Sequence, residues 1–331
     1  MITRRTMLGA TVGALAALPR LGQAITRTGG GQLLTASDVH VADYPTVQAV
    51  QWIGQTLERQ TGGRLRLRMY YAGQLGREAE AIDMARFGAI DITRVYAGAL
   101  NNAFPLTSAL CLPYVFDSVA HLRRAIDGGV GDAVLRGFET RDLVGLAIYD
   151  SGARCFYNTH KPLVEPHDLH GLKMRVAASD MFIELMRMLS TNPTPMSLGE
   201  TFQGMETRMI DGAENNIRSF HSSRHFEAAH YWSRSEHSYA PDVLLMSRRS
   251  FEALRPDDRA LVIETARASV PVMRQLWDAS EDQARAAVVA AGVKFNDVDT
   301  PAFRAATAPL LARYRAMPGI EPLYRRIRDF A

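Results

Sequence analysis

Cysteine is scarce in this 331-residue chain: Cys111 and Cys155 are the only two. A disulfide-stapled scaffold is thereby excluded. An oxidising compartment would permit the pair to bridge, but two buried thiols acting as small hydrophobes are the expected state. An excess of one charge is also missing. The 38 basic and 35 acidic side chains give a formal charge of +3, and residues 1–24 hold Arg4, Arg5 and Arg20 with no acid. The remainder balances 35 against 35, which leaves no electrostatic footprint for nucleic acid or an anionic membrane as partner. No stretch reaches 18 apolar residues, the minimum for a membrane-crossing helix, and no period of 20–50 residues recurs.

Catalytic signatures are equally absent. The chain has no G-x-S-x-G elbow, P-loop, H-E-x-x-H or C-x-x-C. Gly129-Val130-Gly131 lacks the third glycine and the preceding strand of a dinucleotide site. His221 and His225 lie four apart, but no carboxylate at fixed spacing completes a metal set. No enzyme, cofactor or metal is therefore expected.

What remains is an ordinary globular composition, 47% hydrophobic and 22% charged, at a length that suggests about two domains. The first 24 residues read as an export signal. Met1–Arg5 is a basic start, Met7–Leu18 an uncharged apolar run, and Gly22-Gln23-Ala24 offers small residues to a signal peptidase. Thr3-Arg4-Arg5-Thr6-Met7-Leu8 has a twin-arginine look. The mature protein is expected outside the cytoplasm, in the periplasm of a Gram-negative host.

Strand and helix patterns then alternate. Leu33–Ala36 reads as a strand. Pro45–Gln60 carries a helical stripe at Val47, Val50, Ile53 and Leu57, and Arg64–Tyr71 alternates as a half-buried strand with its arginines on the solvated face. The pattern predicts helices at 78–87, 121–138, 181–189 and 198–209, and strands at 90–96, 143–149 and 172–177. Such alternation implies mostly parallel sheets covered by helices, an α/β fold. A long helix is expected from Arg255-Pro256-Asp257-Asp258 to Gly292, kinked at Pro271 and long enough to brace two domains.

Polar residues stand out at strand ends. Arg154 lies in Ser151–Asn158, and Arg175 sits in a strand whose neighbours Met174 and Val176 point to the core. Asp211-Gly212-Ala213-Glu214-Asn215-Asn216 crowds turn and hydrogen-bonding residues together. Arginine's planar fork matches a carboxylate with two parallel bonds, and open α/β sheets collect ligands at the carboxyl ends of their strands. An ion pair joining two elements is the plain alternative for Arg175.

The ordered segments Ala72-Gly73-Gln74-Leu75-Gly76, Gly88-Ala89-Ile90-Asp91, Leu112-Pro113-Tyr114-Val115-Phe116, Asp168–Arg175 and Asp211–Asn215 resemble the substrate-binding proteins of tripartite ATP-independent periplasmic (TRAP) transporters, dicarboxylate (DctP) type. The likeness runs from about Ser37 to Val298. It implies a two-lobed periplasmic-binding-protein clamp, with 25–151 plus about 241–280 in one lobe and 152–240 plus about 281–331 in the other. The long kinked helix would span both. It also implies a salt bridge from Arg175 to a ligand carboxylate, help from Arg154 and Asn215, and delivery of an organic acid to the small and large subunits of a membrane permease. A monomer is expected.

Within that resemblance, Tyr149–Asn158 and Gly212–Asn216 look nearest to binders of sugar acids such as D-glucuronate and D-galacturonate. His40, Glu78, Arg94 and Tyr96 in one lobe, and Asn158, Glu214, Asn216 and His237 in or near the other, are the further candidates for ligand contact. Ile217 stands where sugar-acid members often carry an aromatic residue, so a C4-dicarboxylate or small hydroxy acid is the alternative ligand. A secreted sugar-acid enzyme, or a ligand presenter to a receptor, is the alternative from a different class.

Overall fold

Leu65 to Tyr70 illustrates how pattern becomes structure: Leu65 is buried, Arg66 and Arg68 face solvent, and the segment forms the outer strand of a sheet. The computed structural model describes residues 31–331, so the expected export signal lies outside the described residues. In chain order the strands are β1 (Gln32–Ser37), β2 (Leu65–Tyr70), β3 (Ile92–Tyr96), β4 (Leu143–Tyr149), β5 (Arg154–Asn158), β6 (Lys173–Val176), β7 (Asn192–Pro195), β8 (Gly212–Asn215), β9 (Tyr231–Ser238), β10 (Asp242–Ser247) and β11 (Lys294–Asp297). They build two sheets, ordered β2-β1-β3-β10-β4 and β11-β9-β5-β8-β6-β7, with helices flanking them.

Five of the nine strand pairings are parallel, as strand–helix alternation predicts. The other four are antiparallel, and each involves β10 or β5. Those two strands are where the chain passes from one sheet to the other through short crossings, 150–153 and 239–241, which leave no room for a crossover helix.

The crossings are braced. Ser151 Oγ donates to the Ala240 carbonyl at 3.0 Å, tying one to the other. Buried Asp150 accepts from Arg123 Nε and Arg274 Nε, both at 2.9 Å. Gly152 adopts φ +69, and a Cβ there would stand 3.1 Å from Trp277 Cζ2, so both backbone and space require glycine.

Two of the helices expected from periodicity begin and end as the pattern says, at Pro45–Gln60 and Glu78–Phe87. The expected 121–138 helix is instead divided by a wider turn at Ile126–Val130, where Gly129 takes φ +95. The 198–209 helix contracts to Thr201–Glu206. Strand β7 contains Pro193 and Pro195 and sits at a sheet edge, where a missing backbone donor is tolerated.

The Pro256–Ala290 helix has 35 residues and continues through Pro271; at 1.5 Å per residue it is about 52 Å long. Proline at its first position and Asp257 and Asp258 in its first turn favour the start. Val262, Ala266, Met273 and Trp277 pack into the apolar cluster of the first sheet, whereas Val288 enters that of the second. One rod therefore contributes to both cores. Trp277, fully buried, donates from Nε1 to Glu281 Oε2 at 3.0 Å. Trp277→Ala is expected to lower stability by about 3–5 kcal/mol in urea denaturation; a loss under ~1 kcal/mol would contradict this packing.

Candidate functional site

The strand ends converge on one cavity between the two sheets. His40, in the loop after β1, Glu78, and Arg94 and Tyr96 of β3 line it from the first sheet's side. Arg154 of β5, Arg175 of β6, Asn215 of β8 and Asn216 line it from the second. Eight of the eleven residues singled out by sequence thus meet in one place.

Three do not. Asn158 is spent on its own loop: Oδ1 accepts from the His160 and Lys161 amides, and Nδ2 donates to the Lys161 carbonyl. Glu214 lies behind Arg154, fully buried and away from the cavity. His237 stacks on Phe156 at 4.3 Å, places Nδ1 2.9 Å from Ser235 Oγ, and stands 3.5 Å from Glu214 through Nε2. Both carboxylate oxygens of Glu214 are taken by Arg154, and it is Arg154 that lines the cavity. Sequence position near the crossing gave His237 the right neighbourhood but not its direction.

Seven cavity residues have no signal in the sequence: Val39, Tyr44, Ser151, Ala177, Leu198, Ser219 and Asp242. Asp242 is the first residue of β10 and pairs across the ladder with Tyr96 on one side and Tyr149 on the other. It therefore joins the same strand-end edge, but nothing near it in sequence marks it. Tyr44 stacks on His40 at 3.8 Å and sets its hydroxyl 2.8 Å from Ser219 Oγ, a contact between the two walls. Arg218 reinforces the junction by donating to Asp43 Oδ2 at 3.1 Å.

Charge is divided unequally between the walls. On the first, buried Arg94 serves three acids: Nε donates to Asp38 Oδ2 at 2.9 Å, and Nη1 donates to Glu78 Oε1 and Asp242 Oδ1, each at 3.2 Å. Nη2 also contacts Asp38 Oδ1 and His40 Nδ1. Burial pulls the Arg94 guanidinium down, yet the Asp38 and Asp242 carboxylates outweigh it and hold it above its ordinary value. Burial together with Arg94 pushes His40 down to about 4, so it is neutral at pH 7. Burial raises Asp242 to about 7, where Asp38 and Glu78 add to the shift and Arg94 opposes it.

The second wall reverses the balance. Arg154 Nε donates to Glu214 Oε2 at 2.5 Å and Nη2 to Oε1 at 2.8 Å, a bidentate pair, while Nη1 reaches Asn215 Oδ1 at 3.1 Å. The Arg154 guanidinium also lies 4.4 Å from the centre of the Tyr96 ring. Arg175 is different. It is buried, its Nε donates to the Met196 carbonyl at 2.9 Å, and among the described residues no carboxylate lies within 4 Å of it. Burial accordingly depresses its guanidinium. An unbalanced buried cation is costly unless an anion meets it. The cavity is thus acidic and hydrogen-bonding on one wall and cationic on the other, which suits a small molecule with a carboxylate at one end and hydroxyls at the other. Among the described residues no group of His, Cys, Asp and Glu is arranged to hold a metal. Cys111 and Cys155 are separate buried thiols.

The chain matches the family model DctP, bacterial extracellular solute-binding protein, family 7, over residues 36–316. A solute-binding protein of Chromohalobacter salexigens is 33% identical over 294 residues, covering 88% of both chains. The 2,3-diketo-L-gulonate-binding periplasmic protein of Escherichia coli K12 is 30% identical over 256 residues, 77% of this chain and 78% of its own. Among solved structures, a TRAP periplasmic solute-binding protein of a Bradyrhizobium species in complex with α/β-D-galacturonate matches with a TM-score of 0.88 at 43% identity, covering 90% of this chain and 100% of that one. Another from Pseudomonas putida F1, with bound D-glucuronate, matches with a TM-score of 0.87 at 35% identity over 90% and 97% of the two chains.

The Arg154–Glu214 pair generates a pH prediction. Burial alone would raise Glu214, but the Arg154 charge outweighs it and lowers the carboxyl to about 2. A depressed folded-state value stabilises the protein above the ordinary value near 4.5, and this contribution fades as pH falls toward 2. Glu214→Gln leaves Arg154 buried without its anion and is expected to lose about 3–5 kcal/mol at pH 7. The gap to the natural protein, followed by chemical denaturation at several pH values, should narrow below pH ~4.5. A gap independent of pH would contradict the pairing.

Proposed function

Because the chain belongs to the bacterial extracellular solute-binding proteins of family 7, we propose that it captures a uronate, D-galacturonate or D-glucuronate, and presents it to a TRAP membrane permease. The observation that carries this reading is Arg175, a buried cavity guanidinium with no carboxylate of its own. A ligand carboxylate would supply the missing anion through the guanidinium fork, at about 1.5–3 kcal/mol per charge-assisted hydrogen bond. Arg154 and Asn215 would assist from the same wall, while His40, Glu78, Arg94, Tyr96 and Asn216 meet the hydroxyl-bearing part. The galacturonate and glucuronate bound in the matched structures support this choice of acid.

The role is capture and release, not catalysis: the ligand leaves chemically unchanged. TRAP solute-binding proteins work in the periplasm, and among the described residues no helix is long and apolar enough to cross a membrane. Residues 1–24 are proposed as the export signal. The two sheets are proposed as the cores of two lobes, divided at the 150–153 and 239–241 crossings, that close on the ligand. A ligand preferring the closed form would shift the population toward it.

Thermal unfolding of the ligand-stripped protein against glucuronate, galacturonate, succinate, malate, lactate and glucose tests the reading. A ligand at 100 times its Kd adds about 2.7 kcal/mol of stability and should raise Tm by several degrees. Uronates are expected to do so, and glucose and succinate are not; a shift with succinate or lactate alone would replace the uronate by a smaller acid. Arg175→Lys keeps the charge but loses the fork, so uronate binding should weaken at least tenfold in calorimetry, about 1.4 kcal/mol. Unchanged affinity would remove Arg175 from the role.

A further inference from the structure

Asp242 holds a position that pairing with Arg94 does not account for. Its Oδ1 accepts from Arg94 Nη1 at 3.2 Å, but among the described residues no donor reaches its Oδ2, although that atom is buried. The side chain lines the cavity and is only 3% exposed as a residue. A buried polar atom without a partner forfeits its hydration and is rarely left so. Nor does Arg94 need this third acid, since Asp38 and Glu78 already engage its Nε, Nη1 and Nη2.

The neighbours define what Oδ2 accommodates. Tyr96, directly opposite Asp242 across the β3–β10 ladder, also lines the cavity and also has a buried hydroxyl with no protein partner. Residues directly opposite each other in an antiparallel pair project from the same face of the sheet. With Asp38 and Glu78 close by on Arg94, this wall repels a second carboxylate and favours neutral hydroxyl groups, which both donate and accept. Burial and the adjacent acids raise Asp242 above the ordinary carboxyl value, and a carboxyl oxygen accepts from a hydroxyl.

Resting on the uronate reading above, we propose that Asp242 is the specificity-determining residue for the ligand's hydroxyl groups, binding a ring hydroxyl through Oδ2 and so discriminating among sugar acids that differ only in hydroxyl configuration. The carboxylate on Arg175 then fixes the ligand's direction, and Asp242 reads its far side. A site built to bond a hydroxyl loses affinity for an isomer that leaves its polar group unmatched.

The test is calorimetric binding of D-glucuronate and of D-galacturonate and D-mannuronate, each of which differs from glucuronate at one ring carbon, to the natural protein, Asp242→Ala and Asp242→Asn. Asp242→Ala leaves Arg94 with two acids. It is expected to weaken the best-bound uronate at least tenfold and to compress the spread of the three Kd values at least fivefold. Asp242→Asn keeps the side-chain volume and an acceptor for Arg94 but places an amide donor where Oδ2 stood. It should fold with a native Tm and change the ratio of glucuronate to galacturonate affinity at least threefold. A purely structural role would lower all three affinities by one common factor. That outcome, an unchanged ratio in Asp242→Asn, or equal affinities in the natural protein, would overturn the assignment of Asp242 alone. A natural protein that binds none of the three would overturn the uronate reading and this assignment with it.

Discussion

A buried guanidinium needs an anion, and Arg175 is the point at which the chain does not provide one from its own described residues. Arg154 has Glu214 in a bidentate pair, and Arg94 has Asp38, Glu78 and Asp242. Arg175 has only the Met196 carbonyl. Two cations against one acid on the second wall, and one cation against three acids on the first, give the cavity a direction. In the proposed complex an acid enters carboxylate-first toward β6, and its remaining polar groups fall against β3 and β10.

The rest of the fold is disposed to build that polarity and to let it open. Every polar side chain of the cavity comes from a strand, or from the loop or helix immediately beyond its end, so rigid sheets hold the two walls in register. The connections between the sheets are only a few residues long and meet through Ser151 and Ala240. The long helix contributes Trp277 to one core and Val288 to the other. Contacts across the cavity mouth, Tyr44 with Ser219 and Asp43 with Arg218, are few and polar. A hydrogen bond of this kind contributes only about 0.5–1.5 kcal/mol net, so a few of them leave the proposed clamp free to reopen.

Much of this is legible in the sequence. Alternation at Leu65–Tyr70, the stripe through Val47–Leu57 and the Pro256-Asp257-Asp258 start fix their elements because burial on one face, or a proline at a helix's first turn, has few alternatives. Arg175 stands out because a charged residue sits between core-facing neighbours in a strand. Local pattern does not show long-range pairing. Asp242 reaches the cavity only because β10 inserts antiparallel between β3 and β4, a consequence of the crossings. Glu214 and His237 are close in sequence to cavity residues, but Glu214 is taken up by the ion pair with Arg154 and His237 is stacked on Phe156. Asn158 satisfies its own loop. Divided helices near Gly129 likewise follow from a single backbone angle that periodicity ignores.

The most direct measurement is a crystal structure of the protein grown with D-galacturonate. The ligand carboxylate should lie with both oxygens about 2.7–3.0 Å from the Arg175 guanidinium nitrogens, and its ring hydroxyls against Arg94 and Asp242. A carboxylate bound at the Arg94 wall, or a sugar acid seated outside the cavity with Arg175 untouched, would contradict the central role given to the unpaired arginine.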